Sequence, residues 1–246
     1  MDRRIKAVVL AAGKGTRLQI SDDDAPKVMR LACGKPLLSY VLEALSFIDK
    51  KDVIIVAGYK KAEVINSFGG FTFAVQEEQL GTGHAVMAAG EALSGFDGSV
   101  LICYGDMPAV RRETYEALIE AHFANGDDCT ILTGESAIDL PYGRVVREQD
   151  GGFAEIVEDR DCTPEQKKIT ELNSGVYVFK ADMMLDALGK LGRDNSQGEY
   201  YLTDAPAIMR SGNAKIGIFR RELGDEILGV NTLEQLAQVE EILRAR

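Results

Sequence analysis

Glycines and basic residues stand together near the start of the chain, in the stretch Gly13-Lys14-Gly15-Thr16-Arg17 and again at Lys27. Glycines at the end of a strand let backbone N–H groups approach an anion closely, because no side chain is in the way. The cationic side chains add positive charge at the same place. The stretch therefore predicts an anion-binding loop, and a tight strand-to-helix turn without a ligand is the alternative for the glycine pair alone.

The glycine loop does not match the two most common phosphate-binding patterns. The P-loop requires a glycine five residues before the Gly-Lys pair and a Ser or Thr after it, but these positions hold Val8 and Gly15. The dinucleotide-binding fingerprint requires a third small residue, and that position holds Leu18. The loop therefore predicts an anion site of a different kind.

A carboxylate follows an apolar run in the middle of the chain, where Leu101-Ile102-Cys103-Tyr104-Gly105 leads to Asp106. Because ligands bind where the strands of an open α/β sheet end, we expect Asp106 to face the same crevice as the glycine loop. Carboxylate oxygens are ligands that Mg²⁺ shares with phosphates. Asp106 is therefore a candidate metal ligand, and a turn or helix-capping aspartate is the alternative.

A second glycine turn, Gly81-Thr82-Gly83, follows Gln76 and Gln79 near the end of another apolar run. Close backbone approach at the glycines, together with the glutamine amides, is suited to contacting the edge of a nucleotide base. His84 stands at the start of the next helix, where a core or capping role is expected rather than catalysis.

The composition is that of an ordinary globular protein and excludes several classes. The 246 residues are 46% hydrophobic, and the net charge of -11 argues against a nucleic-acid-binding face while leaving room for a small anionic ligand. No apolar run approaches the ~18 residues of a membrane span, and the start of the chain does not resemble a secretory signal. The four cysteines are widely spaced without a C-x-x-C pair, which predicts a reducing, cytoplasmic location rather than a zinc site.

Strands and helices alternate in the first half of the chain. Apolar runs predict strands at 5–12, 52–58, 71–75 and 99–104, and helical spacing predicts helices at 36–48, 62–68, 84–93 and 111–124. This alternation predicts an α/β fold of the Rossmann-like, doubly wound type, with a mostly parallel or mixed sheet and helices on both faces.

The second half has more strands and fewer long helices. Strands are predicted at 129–133, 143–148, 153–157, 172–179 and 214–219, with helices at 181–191, 202–211 and 231–246. We expect a mixed extension of the sheet that covers the strand ends of the first half. The predicted organisation is one domain over 1–230, made of two halves at about 1–127 and about 128–230, followed by a terminal helix over 231–246.

Nine strings occur in an order that resembles one known family: LAAGKGTRL, PKVM, QEEQLGTGHA, YGDMP, YGRVVRE, IVEDRD, ELNSGVYVF, NSQGEYYLTD and GVNTLEQL. Over residues 5–240 the chain is similar to the uridylyltransferase domain of the bacterial bifunctional N-acetylglucosamine-1-phosphate uridylyltransferase/glucosamine-1-phosphate acetyltransferase. LAAGKGTR alone marks the wider sugar-1-phosphate nucleotidyltransferase superfamily and its nucleotide-diphospho-sugar transferase fold. The strings QLGTGHA, NSQGEYYLTD and GVN point to the branch that forms UDP-N-acetylglucosamine.

The resemblance implies a Mg²⁺-dependent enzyme, a UDP-N-acetylglucosamine diphosphorylase. It would convert UTP and N-acetylglucosamine 1-phosphate to UDP-N-acetylglucosamine and pyrophosphate by in-line attack on the α-phosphate. The residues that match the family's functional positions would contact phosphate (Arg17, Lys27), hold Mg²⁺ (Asp106, Asn231), bind the nucleotide (Leu10, Ala11, Ala12, Gly13, Gly15, Gln76, Gly81, Thr82) and bind the sugar (Tyr104, Gly143, Glu158, Asn173, Tyr201).

The chain departs from the family pattern in three places. The loop between Arg17 and Lys27 is slightly longer than usual, and the segment 139–144 is shorter, which leaves sugar selectivity open. The acetyltransferase domain does not follow the predicted 231–246 helix, so acetyltransferase activity and the trimer that this domain builds are not expected. The same reaction on glucose or N-acetylmuramic acid 1-phosphate, the use of dTTP, and a non-catalytic nucleotide-sugar-binding module are the alternatives.

Overall fold

The strand that leads into the glycine loop lies in the middle of the main sheet. The computed structural model describes residues 3–15, 18, 25–135 and 140–246. In the first strand, Ile5–Ala11, Val9 faces one apolar cluster, whereas Val8 and Leu10 face the other. Because successive side chains of a strand point to opposite faces, burial on both faces requires the nearly continuous apolar run seen in the sequence.

The described residues form eleven strands and eight α-helices. In chain order they are β1 (Ile5–Ala11), β2 (Leu31–Ala32), β3 (Lys35–Pro36), α1 (Leu37–Ala44), β4 (Val53–Ala57), α2 (Lys61–Ser67), β5 (Thr72–Val75), α3 (Thr82–Ala88), α4 (Gly90–Leu93), β6 (Ser99–Tyr104), α5 (Arg112–Asn125), β7 (Cys129–Glu135), β8 (Arg144–Arg147), β9 (Phe153–Val157), β10 (Glu171–Lys180), α6 (Ala181–Leu188), α7 (Ala205–Ser211), β11 (Ile216–Arg221) and α8 (Leu233–Arg244).

The main sheet is mixed, with its parallel part in the first half of the chain. Its order is β11-β7-β10-β6-β1-β4-β5, and the pairs β1–β4, β1–β6 and β4–β5 are parallel. β10 runs antiparallel to both β6 and β7, while β11 is parallel to β7. The predicted α/β class and the predicted mixed extension by the second half are both confirmed.

A small hairpin between β1 and α1 was not predicted from the sequence. β2 and β3 pair through the two-residue turn Cys33-Gly34, whose φ angles are +49° and +81°. Positive φ at both central residues is typical of a tight hairpin turn that suits the twist of the strands. Strands of two residues are too short to show an alternating pattern, so the sequence alone carries no signal for them.

Two predicted helices are interrupted. The helix predicted over 84–93 begins two residues earlier and divides into α3 and α4 at Ala89, and the helix predicted over 202–211 begins as a 3-10 turn at Leu202–Asp204 before α7. Pro206 stands in the first turn of α7, a position that tolerates the missing N–H of proline.

Four parallel strands end on the same edge of the sheet. β1 leads to Gly13, β4 to Gly58, β5 to Gln76 and β6 to Asp106. In open α/β sheets this edge is where ligands bind, so the fold brings the predicted chemical groups together. Among the described residues, no helix has the length and apolar character needed to cross a membrane.

Candidate active site

A cavity of about 420 Å³ opens at the carboxyl edge of the parallel strands. Most of the predicted site residues line it: Leu10, Ala12, Gly13, Lys27, Gln76, Gly81, Thr82, Tyr104, Asp106, Gly143, Glu158, Asn173 and Asn231. This volume lies in the usual range of small-molecule sites, ~300–1,000 Å³. Groups from both halves of the sheet thus share one cavity.

Among the predicted residues that the structure describes, Ala11, Gly15 and Tyr201 do not line the cavity. Arg17 lies outside the residues that the structure describes. Ala11 is buried in the sheet, and Gly15 lies behind Lys27, where an added Cβ would be 2.6 Å from the Lys27 Cβ. The Tyr201 hydroxyl is 3.1 Å from an Asp161 carboxylate oxygen and accepts a hydrogen bond from Gln197.

The glycine turn at Gly81 has both the conformation and the surroundings that only glycine tolerates. Its φ is +110°, and an added Cβ would lie 2.6 Å from the Tyr200 carbonyl oxygen. The Gly83 N–H donates to that same carbonyl at 2.8 Å, and the Thr82 hydroxyl accepts from the Leu202 N–H at 3.1 Å. The segment at 200–202 therefore holds the turn in place beside the cavity.

Gln76 is buried, with 4% of its surface exposed, and its amide is held by two neighbours. Its Nε2 donates to the Gly81 carbonyl at 3.1 Å and lies 3.1 Å from Nδ1 of His84. With both amide hydrogens engaged, Nδ1 of His84 is the acceptor, and the Gln76 oxygen is the atom left to accept a hydrogen bond from a ligand. His84 thus orients Gln76 at the helix start, in keeping with the predicted non-catalytic role.

Lys27, Asp106 and Asn231 meet at the centre of the cavity wall. The Lys27 ammonium forms an ion pair with the Asp106 carboxylate and donates to Asn231 Oδ1 at 2.7 Å. The Lys27 and Asp106 side chains are only 14% and 15% exposed, so their charges act in a medium less polar than water.

Backbone contacts position the two oxygen-bearing side chains. The Val230 N–H donates to the Asp106 carbonyl at 3.0 Å, which ties the end of β6 to the segment before α8. That helix begins with a capping box in which Thr232 and Gln235 bond each other's backbone, and Gln235 also accepts from the Asn231 N–H at 2.7 Å. A well-capped helix start therefore sets the direction of Asn231.

The Lys27 ammonium contacts oxygens of both Asp106 and Asn231. These two oxygens are therefore directed at one point that already holds a positive charge, and a divalent cation fits there. Carboxylate and amide oxygens are the donors that Mg²⁺ prefers. Among the described ranges, no cluster of three or more His, Cys, Asp or Glu side chains suits a metal. Two protein ligands, completed by phosphate oxygens and water, are the arrangement that Mg²⁺ adopts with phosphate substrates.

On the other side of the cavity, Glu158 is a half-buried carboxylate that accepts one hydrogen bond. Burial raises the pKa of the Glu158 carboxyl, and the Thr203 hydroxyl, which donates to Glu158 Oε1 at 2.9 Å, partly opposes this. An ionised carboxylate offers further lone pairs, which suit the hydroxyl groups of a sugar.

Asn173 lies at an irregularity of β10, where the register against β7 shifts between Asn173 and Tyr177. Its Nδ2 is 2.6 Å from the Tyr177 hydroxyl, and its Oδ1 accepts from the Gly175 N–H at 3.2 Å. Gly175 has a φ of +78°, and a Cβ there would be 2.4 Å from the Tyr104 ring. Tyr104 and Asn173 both line the cavity, so the irregularity of β10 shapes one part of its wall.

Sequence reasoning missed two residues that support the site. Thr203 bonds Glu158, and Tyr142 lines the cavity between Gly143 and Asn231. Burial raises the pKa of Tyr142 to about 12 even though the Gly229 N–H opposes this, so the hydroxyl keeps its proton. In the sequence, only the position of Tyr142 next to Gly143 indicates that it could belong to the site. Its hydrogen-bond partners, Ile227 and Gly229, are distant in the chain.

The chain is similar to known proteins along almost its whole length. It is 43% identical over 242 residues to the Bifunctional protein GlmU of Clostridium novyi (strain NT), in a match that covers 98% of this chain and 52% of that protein. The chain thus spans about half the length of the curated relatives it matches.

Solved structures share its fold. A Bacillus anthracis protein assigned as a glucose-1-phosphate thymidylyltransferase, in complex with sucrose, has a TM-score of 0.77 at 17% identity and covers 99% of this chain and 96% of its own. UDP-glucose pyrophosphorylase complexed with UDP-glucose has a TM-score of 0.75 at 18% identity, covering 98% and 99%. These likenesses confirm the expected nucleotide-diphospho-sugar transferase fold.

The family model described as MobA-like NTP transferase domain matches residues 7–205. That span contains the glycine loop, the turn at Gly81, Asp106 and the cavity residues Glu158 and Asn173, and it leaves out only Gly229 and Asn231 of the cavity wall. Because the match covers most of the chain, the chain belongs to the family of proteins with a MobA-like NTP transferase domain.

Proposed function

We propose that this chain transfers the uridylyl group of UTP to N-acetylglucosamine 1-phosphate and releases pyrophosphate. The observation that carries the proposal is the single cavity that joins Gln76, the Lys27–Asp106–Asn231 group and Glu158. These supply, in turn, contacts for a base, for phosphates and for a sugar. The ordered motifs of the sequence support the choice of substrates.

The reaction needs positioning and charge neutralisation more than proton transfer. A phosphate oxygen of the sugar phosphate attacks the α-phosphorus of UTP, and the bond from that phosphorus to the bridging oxygen of the pyrophosphate breaks. Because the attacking oxygen is already anionic, no general base is required, and holding the two substrates in line supplies much of the rate.

The residues of the cavity divide this work. Gln76 orients the base, and Glu158 and Asn173 orient the sugar. The Lys27 ammonium contacts phosphate oxygens, where its charge stabilises the negative charge that develops on the leaving group. Asp106 and Asn231 would hold Mg²⁺, which when bound neutralises phosphate charge.

The alternatives use the same cavity. Another sugar 1-phosphate, such as glucose or N-acetylmuramic acid 1-phosphate, would change only the contacts around Gly143, Glu158 and Asn173. Use of dTTP would change only the contacts around Gln76, which is proposed to contact the base. A non-catalytic nucleotide-sugar-binding module would not need the close group of Lys27, Asp106 and Asn231.

A pyrophosphate-release assay tests the proposal. The purified chain is incubated with Mg²⁺, each of UTP, dTTP and CTP, and each of the three sugar 1-phosphates, with Asp106→Asn as a matched variant. We expect turnover with UTP and N-acetylglucosamine 1-phosphate and a loss of about 10²-fold or more in Asp106→Asn. No turnover in any combination would reject the enzymatic proposal, and preference for another pair would reject the substrates.

The organisation and location of the protein are part of the proposal. We assign the nucleotide to residues 1–127, the sugar to 128–230, and a supporting role to 231–246, where Asn231 directly precedes the capping residue of α8. A cytoplasmic location is supported by the four cysteines, all of which are free thiols, and by the use of a nucleoside triphosphate.

A further inference from the structure

Tyr142 lies between the sugar side and the metal side of the cavity, and its hydroxyl makes two backbone hydrogen bonds. It donates to the Ile227 carbonyl at 2.9 Å and accepts from the Gly229 N–H at 2.8 Å. Both partners belong to the segment that runs directly into Asn231. A hydroxyl that donates and accepts at once fixes the position of this segment from two directions.

The segment that Tyr142 holds is linked to the candidate metal ligands by short steps. The Asn231 Nδ2 lies 3.4 Å from the Gly229 carbonyl, and the intervening Val230 N–H donates to the Asp106 carbonyl at 3.0 Å. An added Cβ on Gly229 would lie 3.1 Å from the Tyr142 hydroxyl. Movement of Gly229 would therefore move Asn231 relative to Asp106.

The backbone of Tyr142 is held by residues close to Glu158 and Asn173, which are proposed to bind the sugar. Arg144 is buried, and its guanidinium donates to the Tyr142 carbonyl and, at 3.3 Å, to the Leu140 carbonyl. The same guanidinium lies 3.6 Å from Asp159, the neighbour of Glu158. The Gly143 carbonyl accepts from the Asn173 N–H at 2.9 Å. The backbone around Tyr142 is thus hydrogen-bonded to the residues proposed to contact the sugar, and it would move with them.

We infer that Tyr142 is a positioning residue that couples the sugar subsite to the metal site by holding Gly229, and through it Asn231, against Asp106. This role rests on the proposed function, since it takes Asn231 as a ligand of Mg²⁺. The hydroxyl does not touch the reacting atoms. It sets where the Asn231 oxygen lies when the sugar side of the cavity is filled.

The direct test compares Tyr142→Phe with Tyr40→Phe. The Tyr40 hydroxyl also donates to a backbone carbonyl, that of Ala32, at 2.8 Å, and Tyr40 lies away from the cavity. Mn²⁺ retention by the protein with saturating UDP-N-acetylglucosamine is measured from the electron paramagnetic resonance signal of free Mn²⁺. We expect Mn²⁺ affinity about three- to tenfold weaker in Tyr142→Phe and unchanged in Tyr40→Phe, as for the loss of one or two hydrogen bonds.

A kinetic measurement separates positioning from loss of structure. In the pyrophosphate-release assay the Mg²⁺ concentration for half-maximal rate should rise by a similar factor in Tyr142→Phe, and saturating Mg²⁺ should restore the rate. A lower population of folded protein would reduce the rate at every Mg²⁺ concentration instead. A rate that saturating Mg²⁺ does not restore would overturn the inference.

Gly229→Ala provides a second variant. Its Cβ would press on the Tyr142 hydroxyl, so we expect weaker Mn²⁺ retention than in wild type. Because the hydroxyl is absent in Tyr142→Phe, adding Gly229→Ala to that variant should have little further effect. Fully additive effects would overturn the inference.

The outcomes distinguish this inference from the proposed function. If wild-type protein retains Mn²⁺ and Tyr142→Phe retains it equally well, the coupling is wrong and the metal site stands. If wild-type protein retains no Mn²⁺ with UDP-N-acetylglucosamine, the proposed metal site and the proposed coupling are both rejected.

Discussion

The Lys27 ammonium lies 2.7 Å from Asn231 Oδ1 and forms an ion pair with the carboxylate of Asp106. It thus stands between the two groups that are proposed to hold Mg²⁺. An ammonium there compensates the charge of the partly buried Asp106 in the free protein. A divalent cation held by Asp106 and Asn231 would repel the ammonium, so Lys27 would have to give up these two contacts and would be free to contact phosphate instead.

Replacing Lys27 should strengthen metal binding to the free protein. We expect Lys27→Met to bind Mn²⁺ about tenfold or more tightly than wild type in the absence of nucleotide, because a neighbouring positive charge is removed from a poorly solvated site. Free Mn²⁺ measured by electron paramagnetic resonance gives the affinity. Addition of Asp106→Asn should abolish the gain.

The matched control is Lys61→Met, which removes the same charge from an exposed pair with Glu77 and should leave Mn²⁺ affinity at the wild-type value. Equal or weaker Mn²⁺ binding in Lys27→Met would show that the lysine does not occupy the metal position. Turnover should fall in Lys27→Met despite tighter metal binding, by about 10²-fold, because the phosphate contact is lost.

The elements of the sheet were predictable because each strand carries its own local signal. Burial of β1 on both faces requires its apolar run, and the glycines after it mark the end of the strand. The candidate site was predictable where its residues stand at such strand ends, as Gln76 and Asp106 do. For these residues, the side-chain type and the position at a strand end suffice to predict a place in the site, because parallel strands end on one edge of the sheet.

The remaining parts of the site depend on contacts between distant residues. Tyr142 meets Ile227 and Gly229 across 85 and 87 positions of the chain, and Glu158 meets Thr203 across 45. No local periodicity encodes such contacts, which arise when the second half packs over the strand ends. The roles of Glu158 and Asn173 came from the ordered motifs, because taken singly both residues resemble ordinary surface positions.

Gln76 should control the affinity for UTP. Its amide hydrogens are engaged by Gly81 and His84, which leaves the oxygen to accept the N3–H of uracil. Gln76→Glu keeps the shape but replaces two donors with a carboxylate beside the Gly81 carbonyl. We expect kcat/KM for UTP to fall about 10- to 100-fold, mainly through KM for UTP, with KM for the sugar phosphate little changed.

Gln166→Glu makes the same chemical change on the exposed surface, where Gln166 accepts from the Thr163 N–H. It should leave both KM values unchanged. An unaltered KM for UTP in Gln76→Glu would contradict the assignment of Gln76 to the base.

The pH dependence of sugar binding should report on Glu158. Burial raises the pKa of this carboxyl and the Thr203 hydroxyl holds it down, so Thr203→Val should raise the pKa further. The ionised form accepts hydrogen bonds from the sugar, and it is lost as the pH falls. As the pH is lowered, KM for N-acetylglucosamine 1-phosphate should therefore begin to rise at a higher pH in Thr203→Val than in wild type.

Thr170→Val is the control for this prediction, because the Thr170 hydroxyl donates to Glu135 at 3.0 Å on the exposed surface. Its KM profile should follow that of wild type. Comparison at equal pH cancels the ionisation of the substrate itself. A KM profile in Thr203→Val that coincides with wild type would exclude Glu158 as the pH-sensitive contact.

A buried histidine far from the cavity should make the stability of the fold depend on pH. His122 Nε2 lies 3.0 Å from the Ser99 hydroxyl and Nδ1 lies 2.9 Å from the Thr130 hydroxyl, which donates to Asp127 at 3.1 Å. Since Thr130 donates to Asp127, it accepts from Nδ1–H, and the neutral ring accepts from Ser99. Burial lowers the pKa of His122 to about 4, although Asp127 opposes this.

The sign of the effect follows from the two pKa values of His122. As the pH falls below the ordinary value of 6.5, the histidine takes up a proton in the unfolded chain but not in the fold, whose value is about 4. Stability is thus fully present above 6.5 and is lost progressively down to 4. Between about pH 7.5 and about pH 5 this group should lower the free energy of unfolding by about 2 kcal/mol.

Thermal or urea unfolding at the two pH values measures this loss, and His122→Gln should reduce the difference between them by about 2 kcal/mol. Carboxyl groups also contribute to the pH dependence, but they do so equally in both proteins. Ser99→Ala removes one hydrogen bond and keeps the titrating ring, so it should be less stable at both pH values and retain the difference. A His122→Gln variant that retains the full wild-type difference would assign the pH dependence to other groups.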